Sequence, residues 1–125
     1  MLDHVTLPVS RVDVSARWYT AALRPLGMTL LASSQDSASF GIGRMPYLTL
    51  RRCSGRPASV HLAFTAADRP QVNDFHAAAV AAGGVDNGAP GLRPDYHAHY
   101  FGAFVLDPDG HNIEVVRHAA EHPLP

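Results

Sequence analysis

A histidine opens each of two matching segments in this chain. Asp3-His4-Val5-Thr6-Leu7 stands beside Val60-His61-Leu62-Ala63-Phe64, and an offset of 57 residues lays His4 on His61, Trp18 on Phe75 and Gly27 on Gly84. A third polar residue, Glu114, interrupts the last apolar run between Ile113 and Val115. In a strand, alternation turns Glu114 away from those two neighbours, onto the face of Asn112 and Val116. A carboxylate on a covered sheet face is costly unless it is paired or bound to a cation. Two neutral imidazoles and one carboxylate bind a divalent transition metal such as Zn, Ni, Mn or Fe and leave coordination positions open. An offset of 65 residues sets Thr49 against Glu114. Threonine is a poor ligand, so Thr49 would border a substrate, and three protein donors make a catalytic pattern rather than a structural one. Taken singly, a strand histidine is more often a satisfied core or edge residue, and Glu114 could pair with an arginine. The register of His4 and His61 across the repeat favours the metal.

The second cluster is Tyr96-His97-Ala98-His99-Tyr100-Phe101. Read as a strand, His99, Phe101, Ala103 and Val105 share one face, and Tyr100, Gly102, Phe104 and Leu106 share the other. One face should look toward a bound molecule, with Tyr96, His97, Tyr100 and Phe101 as its border. His97 or His99 could move a proton near neutral pH, His99 acting with Glu114 as the catalytic pair. The bland alternative is a His- and Tyr-rich loop edge with no role. Arg93 could grip an anionic substrate or be a plain surface arginine. His76, His111, His118 and His122 read as peripheral, in helix, turn and tail.

The elements that must position these groups follow from periodicity and breakers. Residues 2–7 form a strand stopped by Pro8. Ser10 or Asp13 caps a helix marked by Val14, Trp18, Ala21 and Ala22, and Pro25 and Gly27 end it. Residues 28–32 make a second strand, and residues 39–43 and 47–51 form a hairpin around Gly43-Arg44-Met45-Pro46. A polar connector at 53–57 separates module one, residues 1–54, from module two, residues 58–118. Residues 60–65 are again a strand. Asp68 caps the next helix, with Pro70 in its first turn, and Gly83-Gly84 end it. Residues 85–87 are a short strand, and 88–95 read as a loop because two prolines and two glycines break a ladder. Strands at 99–106 and 112–117 flank the tight turn Asp107-Pro108-Asp109-Gly110. The tail after His118 is expected to fray. Each half therefore reads β-α-β-β-β. The expectation is an α+β fold of two βαβββ modules, their sheets side by side in a curved, partly closed mixed sheet with helices outside.

Composition bounds the function. The 125 residues suit one domain, and 46% apolar with 17% charged residues is ordinary for a globular chain. A formal charge of −1 with scattered arginines gives no pull toward nucleic acid or an anionic membrane. All ten basic residues are arginine, which excludes Schiff-base and lysine-base chemistry. The lone Cys53 forms no internal disulfide. No leader-like segment or long apolar run is present, which points to the cytoplasm.

These residues resemble the vicinal oxygen chelate superfamily, which includes glyoxalase I, fosfomycin-resistance thiol transferases, extradiol dioxygenases and bleomycin-binding proteins. The opening Asp3-His4-Val5-Thr6-Leu7 resembles its first-strand histidine, and Val60-His61-Leu62-Ala63-Phe64 its second-module histidine strand. Residues 104–116, with glutamate after Asp-Pro-Asp-Gly, are similar to its C-terminal hairpin. The resemblance implies a metal held by His4, His61 and Glu114 and a substrate that chelates it through two oxygens. It implies a glyoxalase-like lyase or isomerase, with a metal-free bleomycin-type binding protein and an Fe(II) extradiol-type dioxygenase as alternatives. It also implies a homodimer, in which His4 of one copy could join His61 and Glu114 of the other. The chain departs from glyoxalase I in offering Thr49 where a further carboxylate is usual. It departs from the fosfomycin enzymes in lacking lysine, and from most extradiol dioxygenases in being short.

Overall fold

The computed structural model describes residues 1–120; of the tail expected to fray after His118, residues 121–125, with His122, lie outside them. The chain runs β1 (Val5–Val9), α1 (Val12–Leu23), β2 (Thr29–Ser33), β3 (Ser37–Ile42) and β4 (Met45–Arg52). It then repeats as β5 (His61–Thr65), α2 (Arg69–Ala81), β6 (Val85–Leu92), β7 (Phe101–Leu106) and β8 (Asn112–Arg117). The two four-stranded sheets are ordered β1-β4-β3-β2 and β5-β8-β7-β6. In each, the first strand lies parallel to the last, and the remaining pairs are antiparallel. This is the expected α+β repeat of βαβββ modules. Among the described residues neither sheet closes, and no strand of one pairs with a strand of the other.

One face of each sheet is apolar and covered. Leu7, Val9, Phe40, Leu48 and Leu50 come from the first sheet, and Ala103, Val105, Ile113 and Val115 from the second; all are buried. They meet Trp18, Tyr19 and Leu23 of α1 and Val72, Phe75 and Ala79 of α2. Fully burying each large side chain contributes roughly 1.5–3 kcal/mol, so this seam orders both modules. The modules meet through their helices, where the Trp18 indole N–H donates to the Ala79 carbonyl at 2.9 Å.

Helix α2 starts as its sequence indicates. The Asp68 carboxylate accepts the Gln71 N–H at 2.9 Å, and the Gln71 side chain accepts the Ala67 N–H at 2.7 Å. Helix α1 does not. Arg11 is its N-cap and no side chain caps it. Ser10 instead gives its N–H and hydroxyl to the Asp109 carboxylate at 3.0 and 2.5 Å, because a buried acid across the chain competes for it. The segment read as a loop at 88–95 is strand up to Leu92. Its Gly and Pro residues are absorbed by register shifts between Asp86 and Gly88 and between Gly88 and Gly91. Strand β7 starts at Phe101, since 97–100 form a turn closed by the Tyr100 N–H on the His97 carbonyl.

His111 is likewise not peripheral: it is fully buried. Its Nε2–H donates to the Pro8 carbonyl at 2.8 Å, and its Nδ1 accepts the Val60 N–H at 3.0 Å. Beside it, Asp107 accepts the Tyr19 hydroxyl at 2.6 Å and the N–H groups of Asp109 and His111 at 2.9 Å. The Asp-Pro-Asp-Gly-His turn thus ties module two to β1 and α1.

Candidate functional site

The uncovered face of the second sheet carries His61 and Glu114. Ile113 and Val115 point into the core, so Asn112, Glu114 and Val116 point the other way. In the parallel register of β5 and β8, His61 pairs with Asn112 and Ala63 with Glu114, which sets His61 diagonal to Glu114 on one face. The imidazole Nε2–H donates to Glu114 Oε1 at 2.8 Å. Glu114 is only 2% exposed, whereas the His61 side chain is 54% exposed. A ring open to solvent therefore sits on a carboxylate that is not.

Aromatic rings complete this face. Phe104 is the cross-strand partner of Glu114, and its ring centre lies 6.0 Å from that of His61. Tyr100, from the turn before β7, donates its phenol to Glu114 Oε2. It reaches over Gly102, where a Cβ would lie 3.2 Å from the Tyr100 ring and 3.4 Å from the carboxylate. Tyr96, His97 and His118 flank the Tyr100 ring at centroid distances of 4.6, 5.4 and 5.2 Å. Burial, then the bond to Glu114 and its charge, push the Tyr100 phenol well above its usual range, so it remains a donor at any physiological pH.

The other expected residues fall into two groups. His97 has both ring nitrogens engaged: Nδ1 accepts the His99 N–H at 3.1 Å, and Nε2–H donates to His118 at 3.0 Å. The His99 side chain is exposed and unpartnered among the described residues. Phe101 lies on the opposite face of β7, where its register partner is Arg117 and the Arg69 guanidinium stands 4.9 Å over its ring.

On module one, alternation against buried Leu7 and Val9 places Thr6 and Thr49 on the uncovered face of the first sheet, whereas His4 precedes β1, which runs from Val5 through Pro8 to Val9 rather than over residues 2–7. Thr49 shares a 3.0 Å hydrogen bond with Ser39. His4 is exposed and donates to the Asp3 carboxylate at 2.7 Å. Among the described residues, no three of His, Cys, Asp and Glu gather around a point that could hold a metal ion. One chain thus brings together two of the three expected donors, His61 and Glu114, and leaves His4 just ahead of the first strand of the other module.

A cleft of about 560 Å³ lies elsewhere, between the start of α1 and the β2–β3 turn, and contains none of these residues. Its arginines already have acidic neighbours, Arg11 with Asp13 at 3.9 Å and Arg52 with Asp36 at 3.2 Å.

A family model, the Glyoxalase/Bleomycin resistance protein/Dioxygenase superfamily, matches residues 1–115. The chain belongs to that superfamily. Among solved structures, a glyoxalase/bleomycin resistance protein from Albidiferax ferrireducens T118 is similar, with a TM-score of 0.81 and 28% identity over 94% of this chain and 98% of that one. A glyoxalase-related enzyme from Fulvimarina pelagi matches with a TM-score of 0.72 and 22% identity over 94% and 87%. A glyoxylase/bleomycin resistance protein/dioxygenase domain from Frankia sp. EAN1pec matches with 0.73 and 19% over 95% and 98%. A comparison with curated proteins finds no match. Of the residues singled out in the sequence, His61, Glu114 and Tyr100 come together in this superfamily member. Sequence reasoning missed Phe104 as a wall of the face and His111 as the junction. The signal for Phe104 was present, since it shares a strand face with Tyr100.

Proposed function

We propose that the chain is a metal-dependent enzyme acting on a small oxygenated molecule, as a glyoxalase-like lyase or isomerase, and that it works as a homodimer. The uncovered face of module two in one copy would meet the uncovered face of module one in a second. His61 and Glu114 of the first copy and His4 of the second would then hold the metal, with Thr49 at the fourth corner. The observation that carries this reading is the His61–Glu114 pair, a buried carboxylate and an exposed imidazole 2.8 Å apart on a face the chain itself leaves uncovered. A bound divalent ion (Zn, Ni, Mn or Fe) supplies Lewis acidity toward a carbonyl or enediolate. Tyr100 keeps the outer oxygen of Glu114 in place, and Phe104 excludes water from one side. His99, whose ring is uncommitted, is the group suited to move a proton. The unpaired Cys53 suits a reducing compartment, and the cytoplasm is the proposed location.

The test is metal content and mass in solution, on protein purified without chelator. A dimer with about one ion per chain, lost in His61→Ala, Glu114→Gln and His4→Ala, is expected. Near-zero metal, with thermal stability unmoved by added Zn, Ni, Mn or Fe, overturns the reading.

A metal-free binding protein is the second reading. It is favoured by both Glu114 oxygens already having donors within the chain, His61 and Tyr100. It predicts that His4→Ala leaves small-molecule binding intact.

A further inference from the structure

Strand β6 is built around an arginine. The Arg93 guanidinium donates to the Ala89 carbonyl at 2.7 Å and to the Leu92 carbonyl at 3.5 Å, and the Arg93 backbone N–H donates to the Tyr100 carbonyl at 2.7 Å. Two glycines make room for it. A Cβ on Gly88 would lie 3.2 Å from one terminal nitrogen, and a Cβ on Gly91 would lie 3.1 Å from the other. These are the positions where β6 shifts register, so the irregularity that hid this strand in the sequence is also what seats the side chain.

The guanidinium stands 5.5 Å over the Phe104 ring, whose centre also lies 6.0 Å from that of His61. A single phenyl group therefore separates Arg93 from the His61–Glu114 pair. Arg93 has no acidic partner among the described residues, unlike Arg11 and Arg52. Its charge is felt at Tyr100, where it opposes the upward push on the phenol. A fixed planar fork with N–H groups to spare and no counter-charge is the usual receptor for a carboxylate or phosphate.

We infer that Arg93 is the anion-binding group of this site, and that the molecule taken here carries an oxyanion, carboxylate or phosphate, one ring's width from its reacting oxygens. This rests on the His61–Glu114 face being the binding site, as proposed above. It narrows the substrate class to small oxygenated acids or phosphate esters and makes Arg93 the residue that rejects neutral analogues.

The experiment is an NMR titration of the ¹⁵N-labelled full chain with glycolate, its neutral amide glycolamide, and inorganic phosphate at constant ionic strength. The expected result is a saturable shift of the Arg93 Nε–H and the Tyr100 amide with at least one anion and none with glycolamide. The anion that saturates at lower concentration identifies the class. Arg93→Gln should weaken that binding roughly tenfold or more, and Arg93→Lys should fall between, because it keeps the charge and loses the fork. Glu114→Gln should retain the anion response even if it loses metal, so failure of the metal reading and failure of this one are separable. No saturable shift with either anion, an equal response to glycolamide, or unchanged binding in Arg93→Gln overturns the inference.

Discussion

Replacing Tyr100 by Phe removes one oxygen and tests how Glu114 is held. The phenol donates to Oε2 of a carboxylate that is 2% exposed, and His61 satisfies only Oε1. Deleting a donor to a buried charged acceptor costs roughly 1.5–3 kcal/mol. Tyr100 is itself half-buried, so water can partly replace it, and about 2 kcal/mol is expected. For a domain of this size that is roughly 8 °C in Tm. Urea unfolding followed by tryptophan fluorescence and circular dichroism measures it. Gly102→Ala attacks the same bond from below, since the new Cβ would crowd the Tyr100 ring at 3.2 Å. In the Tyr100→Phe background, where the ring is free to shift, Gly102→Ala should cost about 1 kcal/mol less than in the wild type. A Tyr100→Phe loss below about 0.5 kcal/mol, or full additivity in the cycle, would refute the claim that this phenol fixes the acid.

Alkali offers a second test. Burial, then the nearby Asp107, raise the Tyr19 phenol well above its ordinary value, so its folded-state pKa exceeds the unfolded one. Its contribution to stability is complete below about pH 10 and is lost as pH rises toward the folded value, so the 295 nm phenolate signal of Tyr19 should emerge only with loss of near-UV dichroism. Gly84→Ala should cost about 3 kcal/mol or abolish folding, because its Cβ would fall 2.5 Å from Val105 and 2.8 Å from both Trp18 Nε1 and the Ala79 carbonyl. Expression yield and Tm read this directly.

Much of this fold was legible because its signals are local. The apolar alternation of 112–117, the Asp-Pro-Asp-Gly turn and the Asp68 cap each act over a few residues, and each forms as the sequence indicates. What was illegible depends on partners distant in the chain. Ser10 is a good cap by type, yet Asp109, 99 residues away, takes its donors. Strand β6 looks broken because its glycines answer to Arg93 and Phe104 rather than to the ladder. The face of Glu114 could be read from alternation, and so could that of His61. That the chain would keep His4 apart from that pair, ahead of the first strand of the other module, could not, because nothing in strand periodicity says how two modules are joined.

The buried His111 has a consequence for how the molecule comes apart. One ring nitrogen faces the Pro8 carbonyl and the other faces the Val60 N–H, so the ring bridges the first strand and the start of the second module. Opening either half strands a buried imidazole with a vacant nitrogen. The two copies of the repeat should therefore melt in one cooperative step, although each is a complete βαβββ unit by itself.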